Sequence, residues 1–504
     1  MRNFFKRTAV ALLAGWAMTG TAGAQSSDTL TVGIWDFAIG HGNPYHNVFG
    51  QPHIYMYPAV FDTMTYVAET GSAEPGLATA WKNTSPTTWQ FTLRSGTRFQ
   101  NGEPFTAEAI IKILEWFKSE DAKTSPAARS FDYLGSARAI DDHTIEIKTT
   151  APRPLLPNML AALYVVPPKA WADMGIEKFA VNPIGTGPYR VTRWTGENVS
   201  LEAVDNSWRK AKTPKMSFLR LPEHAARVQA LLSGQIDVMI RVFPDNFAAI
   251  RAAGGTIDAA PSPLLLQMAF VLENVPERVD VTPLRDKRVR HALNYAVDKV
   301  SINENLMGGL MGINTQYAVP GSFGYDPTLK PYQYDPDRAR KLLAEAGYPN
   351  GFKLTVEVLD FPDVFVQVAS DLSKVGVQLE VKRIVNADWT KKFLGVLWEA
   401  PAFSLTLGVA PEMDANRPMI FQSCRRKPGY YCNQEVMPLI DAADAEFDMD
   451  KRRQLLHELA AKLREDAPAI FMFEQKELNA YSKRVRGFKS VNRIVRYENI
   501  TLAN

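Results

Sequence analysis

Asn182-Pro183-Ile184-Gly185-Thr186-Gly187-Pro188-Tyr189 is the stretch on which the reading of this chain turns. Proline fixes φ and glycine permits backbone shapes closed to other residues, so the segment is a rigid loop. Tyr189-Arg190-Val191 then opens an extended run. Gly185-Thr186-Gly187 has the outline of a dinucleotide loop. The third glycine of that fingerprint would fall at position 190, which holds Arg, so phosphate cradling is excluded there.

The N-terminus carries an address. Arg2, Lys6 and Arg7 precede an apolar run from Ala9 to Met18, and Ala22-Gly23-Ala24 offers small residues just before Gln25. That order predicts a secretory signal peptide over 1–24. The run is shorter than the roughly 18–20 apolar residues of a membrane span. No Cys follows the expected cut, which argues against a lipid anchor. Three of the 57 basic residues lie in this segment and face 54 acidic ones in the whole chain, so the exported protein is close to neutral. A nucleic-acid partner, which needs a basic face, is not indicated. In an exported protein the two cysteines, Cys424 and Cys432, are expected to form a disulfide across the Pro428-Gly429 turn. A chain of 504 residues calls for at least two lobes, since single cores stop growing near ~250–300 residues.

Periodicity makes the chain α/β. Leu30 to Trp35 alternates as a strand, and Trp89, Phe91 and Leu93 alternate in a hairpin region closed by Ser95-Gly96 and Asn101-Gly102. A helix is expected from near Thr106, and Pro152 to Pro168 reads as a loop. Thr282 and Pro283 open a predicted helix with Val289, Leu293, Ala296, Val297 and Val300 on its inner face. Arg285, Arg288 and Arg290 fall off that stripe and are expected in solvent. From Asp335 to Val381 the pattern is a capped helix ending at Gly347, a strand through Leu354, Val356 and Val358, a helix over about 363–375, and a strand through Val377, Leu379 and Val381. That is a βαβ unit.

Five further blocks stand in order with the opening loop: Trp89 to Phe105, Arg227 to Val238, Asp286 to Asp298 (Asp-Lys-Arg-Val-Arg-His-Ala-Leu-Asn-Tyr-Ala-Val-Asp), Tyr334 to Phe352, and Tyr431 to Ile440. Together they resemble the large extracytoplasmic solute-binding proteins of ABC importers, the peptide/nickel-binding family. The resemblance implies a type II two-lobed fold of the three-subdomain variety, with ligand trapped between lobes joined by two hinge strands. It maps onto a first lobe of 25–264 plus 475–504, an inserted subdomain near 60–183, and a second lobe of about 265–474. It implies a periplasmic monomer without cofactor that hands a solute to an inner-membrane permease.

Peptide-binding relatives hold the ligand's amino terminus with an acidic residue in an Asp-Pro loop after a hydrophobic strand. Here that strand is Phe403 to Leu407, and Glu412, Asp414 and Arg417 follow it, without the Asp-Pro pair. Dipeptide-binding relatives place an Arg for the carboxylate after the strand ending near Leu359, where this chain has Asp360-Phe361-Pro362-Asp363. Asp360 and the aromatic faces of Trp389 and Trp398 are therefore candidates for a cationic, hydroxyl-rich or apolar ligand. His41, His46 and His53 are three of the seven histidines, and with Tyr45 they lie in the loop after the first strand. The histidines offer metal-binding chemistry at a spacing that matches no standard motif. Peptide, opine-like conjugate, oligosaccharide and nickel chelate all remain open as ligands. For an enzyme, the sequence lacks a Gly-x-Ser-x-Gly elbow, a His-Glu-x-x-His helix and a P-loop; His457-Glu458 is followed by Leu-Ala-Ala.

Overall fold

The computed structural model describes residues 28–46 and 51–503. The expected signal segment and its cleavage point lie outside the described residues. Among those described, no helix is long and apolar enough to cross a membrane.

Two long strands organise everything else. Thr256–Phe270 and Ala469–Tyr481 pair antiparallel along most of their length, with a register shift between Pro261 and Leu265. They form the middle of an eleven-stranded sheet. On one side Ala469–Tyr481 meets Val238–Met239, followed by Thr29–Ile34, Lys215–Arg220, Asn198–Ala203 and Tyr189–Trp194. On the other side Thr256–Phe270 meets Ala402–Gly408, followed by Lys353–Val358 and Gln378–Arg383. Each half carries its own parallel strands: Thr29–Ile34 runs parallel to both its neighbours, and Lys353–Val358 to both of its own. The result is a type II two-lobed fold whose lobes share the two crossing strands as a hinge. A separate antiparallel sheet, in the order Ala78–Ser85, Thr88–Leu93, Thr144–Thr149, Leu134–Asp141, lies in the chain between Thr29–Ile34 and Tyr189–Trp194, and Trp89, Phe91 and Leu93 on it are buried in the core.

The opening loop owes its glycines to close approach. A Cβ on Gly185 would stand 2.0 Å from the Val60 carbonyl oxygen, and one on Gly187 2.5 Å from the Val60 carbonyl carbon. The Gly187 N–H donates to that oxygen at 2.9 Å. Gln100 pins the loop further by donating to the Tyr189 carbonyl and accepting from the Gly185 N–H. Between the glycines, the Thr186 hydroxyl donates to Asp62 at 2.7 Å. Asp62 is fully buried and also accepts from Tyr66, Trp208 and Arg209. Burial alone would raise its carboxyl, but the Arg209 charge and these hydrogen bonds outweigh it and hold Asp62 below the usual range. The loop is thus a packing knot of the first lobe.

The βαβ unit is present as Pro336–Glu345, Lys353–Val358, Pro362–Ser373 and Gln378–Arg383, with Asp335 accepting from the Arg338 N–H as N-cap. Three expectations need correction. The single helix from Thr282 is three pieces, Thr282–Arg285, Lys287–Ala296 and Lys299–Leu306, because Asp286 and Asp298 each turn a side chain back to cap a new start. Arg290 is not solvated: it is buried, paired with Asp466 at 2.7 Å, and donates to the carbonyls of Leu284, Asp466 and Ala467. The proline-rich stretch 152–168 also contains a short helix, Leu156–Met159, rather than loop throughout. Cys424 and Cys432 are disulfide-bonded.

Candidate functional site

In open α/β sheets ligands bind beyond the carboxyl ends of the parallel strands. Here those ends carry Trp35, after Thr29–Ile34; Arg241, after Val238–Met239; and Asp360, after Lys353–Val358. The first two belong to the first lobe and the third to the second. Arg241 has a φ of +64°, a strained value for a long side chain. Its N–H donates to the Asn479 side chain at 3.2 Å on a hinge strand. Its guanidinium stands 5.8 Å from the Trp35 ring and 5.9 Å from the Phe243 ring. It reaches across the cleft to Asp360, Nη2 to Oδ1 4.0 Å, and both side chains are 43% exposed. Phe361, the next residue, is also left-handed, at φ +56°.

The other edge of the cleft is shut. Asn158 donates to the carbonyls of Gly71, 2.7 Å, and Glu412, 2.9 Å, and so ties the Gly71 turn to the loop after Ala402–Gly408. The gap between Glu69, Ser262, Val319 and Met413 holds about 10 Å³, room for barely one water.

The floor is made by the hinge strands, where side chains two apart share a face. Gln475 donates to the Thr406 hydroxyl at 3.2 Å. Glu477 accepts from the Tyr55 hydroxyl and pairs with Arg493 at 3.4 Å. Burial pushes Asp258 up to about 6, with Glu477 adding to the rise and an Asn479 hydrogen bond opposing it, and burial pushes Glu474 up to about 7.

Of the residues singled out by sequence, Asp360 faces the cleft. The acidic loop does not offer a free carboxylate. Asp414 is buried and paired with Arg452 at 2.8 Å inside the second lobe. Glu412 is paired with Arg417, 3.1 Å, which also donates to the Gly408 carbonyl at 2.7 Å. Burial raises both carboxyls and their arginines oppose it. Phe403 and Leu407 lie on the inward face of their strand, and Trp398 is fully buried with its ring 3.8 Å from that of Phe403. These three are core residues, because a strand residue chosen for apolarity faces the core. Trp389 is half-buried, stacked on Phe393 at 4.7 Å and bonded to the Ser404 carbonyl.

Tyr45 sits away from the cleft. It packs between Trp116 and Trp171, beside a cavity of about 560 Å³, and its hydroxyl donates to the Tyr164 carbonyl. The histidines do not assemble a metal centre. His41 lies edge-on to Trp194, His46 is exposed, and His53 is buried with its ring nitrogen 2.9 Å from the Ile39 carbonyl. Among the described residues no three His, Cys, Asp or Glu side chains gather as ligands. Sequence reasoning missed Trp35 and Arg241; Trp35 directly follows the strand Thr29–Ile34, which was its available signal, whereas Arg241 had none.

The family model for bacterial extracellular solute-binding proteins, family 5, middle region, matches residues 72–408, more than half of the chain. The chain belongs to this family. Its members bind a solute outside the membrane and deliver it to an ABC permease. The chain is similar to the glutathione-binding protein GsiB of Pectobacterium atrosepticum, 26% identical over 430 residues that cover 80% of each protein. Its fold is similar to the periplasmic binding protein DppA of Helicobacter pylori in complex with the peptide STSA, at TM-score 0.76 and 21% identity, covering 94% of this chain and 98% of that one. It is also similar to NikZ of Campylobacter jejuni in complex with Ni(L-His), at TM-score 0.78 and 21% identity, covering 94% and 99%.

Proposed function

We propose that this protein captures a small peptide-like or other polar organic solute in the periplasm, closes over it, and releases it unaltered to its permease. The hinge is the register shift around Pro261–Leu265, and the lobes are 25–264 plus 475–504 and 265–474, with the insert at about 60–183. The observation that carries the reading is the meeting of Arg241 and Asp360, one from each lobe, beyond the ends of the parallel strands. A solute touching both lobes offsets the cost of closure, and a micromolar one supplies about 8 kcal/mol in all. The relatives' ligands, glutathione, the peptide STSA and Ni(L-His), each contain amino acids. The dispersal of the three histidines favours an organic solute over a metal held by the protein.

A thermal-shift screen of peptides, sugars and amino-acid conjugates tests the class. A ligand at 100 times its Kd adds about 2.7 kcal/mol. Stabilisation by peptide-like solutes, with the scattering profile becoming more compact, supports the proposal. Stabilisation by sugars alone, or turnover of the bound solute, contradicts it. An intact mass beginning at Gln25 on secreted protein checks the export signal.

A further inference from the structure

We infer that Arg241 and Asp360 set the polarity of the bound solute, its carboxylate docking on Arg241 of the first lobe and its ammonium on Asp360 of the second. This rests on the peptide-like reading above and adds which lobe reads which charge.

Among the described residues, Asp360 is the carboxylate within ion-pair distance of Arg241, and it belongs to the opposite wall. The pair is poor: 4.0 Å, half-exposed and open to screening by water and salt. A zwitterion placed between them exchanges that one weak pair for two charge-assisted contacts.

The two walls differ in sign. Near Arg241 lie Arg227 and His224. Burial lowers both, Arg227 to about 10, and repulsion from Arg241 adds to the fall in each case, so His224 is pushed toward its neutral form and Arg227, which donates to the Leu221 and Pro222 carbonyls, is the further cation near Arg241. Asp245 lies near His224 and acts the other way, more weakly than the arginines. On the second wall the competing acids are already taken, Glu412 by Arg417 and Asp414 by Arg452. Asp363, three residues past Asp360, pairs with Arg383. That leaves Asp360 as the acid that faces Arg241 from the second wall.

Both residues are also pre-set. The Asn479 side chain holds the backbone of Arg241 in its left-handed turn, and Trp35 and Phe243 flank the guanidinium. Asp360 precedes the left-handed Phe361 that starts the helix Pro362–Ser373. Strain of this kind gathers where a ligand is clamped.

The test uses full-length exported protein and three pools of tripeptides: zwitterionic, N-acetylated, and C-amidated. Wild type is expected to bind the zwitterionic pool at least about tenfold more tightly than either capped pool. Arg241→Gln loses the preference over the amidated pool and keeps the preference over the acetylated one. Asp360→Asn does the reverse. The double exchange Arg241→Asp with Asp360→Arg preserves an ion pair between the lobes but binds the zwitterionic pool at least about tenfold less well. Melting temperatures of the ligand-free variants, expected near wild type because the pair is exposed, separate binding from folding. Unchanged preferences in both single variants, or full affinity in the double exchange, overturn the inference while leaving the peptide-like reading in place. Binding of no pool by the wild type overturns both.

Discussion

Asp62→Asn is the sharpest single test of how the first lobe is held together. One carboxylate oxygen accepts from Tyr66 and Arg209, and the other from Thr186 and Trp208, all at 2.7–2.8 Å. An asparagine has the same shape, yet neither orientation of its amide fits. With the NH2 toward Trp208 it meets the indole N–H, and with the NH2 toward Arg209 it meets the guanidinium; neither group can accept. Removing one partner of a buried ion pair costs about 3–5 kcal/mol. Arg209 keeps Glu498 at 2.9 Å, which favours the lower end, while one orphaned donor adds about 1–3 kcal/mol. A loss near 4 kcal/mol is expected, by guanidinium unfolding followed by circular dichroism. Because the Asp62 carboxyl is held low in the folded state, its contribution is present above the unfolded value of about 3.9 and is lost as pH falls below it. The gap between wild type and variant should therefore shrink on acidification. The exposed pair Arg220–Asp36 is the control: Asp36→Asn should cost under about 1 kcal/mol. If Asp62→Asn proves as mild as Asp36→Asn, the knot does not stabilise the lobe.

Gly185→Ala should abolish or severely reduce soluble yield, since its Cβ would overlap the Val60 carbonyl oxygen, whereas Gly196→Ala, with nothing within 4 Å, should melt within a degree or two of wild type. Glu474 is pushed up to about 7 by burial, so wild type loses stability as pH rises from about 4.5 to 7 while Glu474→Gln does not; the variant should gain about 1–3 kcal/mol over wild type at pH 8 and little at pH 5, read from denaturant midpoints. Replacing Cys424 and Cys432 by Ser should cost about 2–3 kcal/mol, the loop-entropy value for so short a ring, and reducing agent should destabilise wild type but not the variant.

The parts of the fold that were legible in sequence are those set by local rules. Asp335, Pro336 and Gly347 bracket a helix because cap, fixed φ and a left-handed end are properties of single residues. The alternation from Leu354 to Val381 marks two parallel strands for the same reason. Where distant partners decide, the reading failed. Arg290 is off the apolar stripe of its helix and looks solvated, yet Asp466, far along the chain, draws it inside. Asp414 and Glu412 look like free ligand carboxylates until Arg452 and Arg417 are seen beside them. Arg241 carried no motif at all. Its place depends on a left-handed turn held by Asn479 and on a facing lobe, and neither is written near residue 241.

The central claim is a hinged pair of lobes that encloses a solute and leaves it chemically unchanged. Native mass spectrometry of the protein recovered from its own periplasm tests it directly. One small adduct per chain, released on denaturation with the same mass as the free solute and regained when that solute is added back, is the predicted result. A chain that carries no adduct under any growth condition, or that returns a solute of altered mass, would contradict the account.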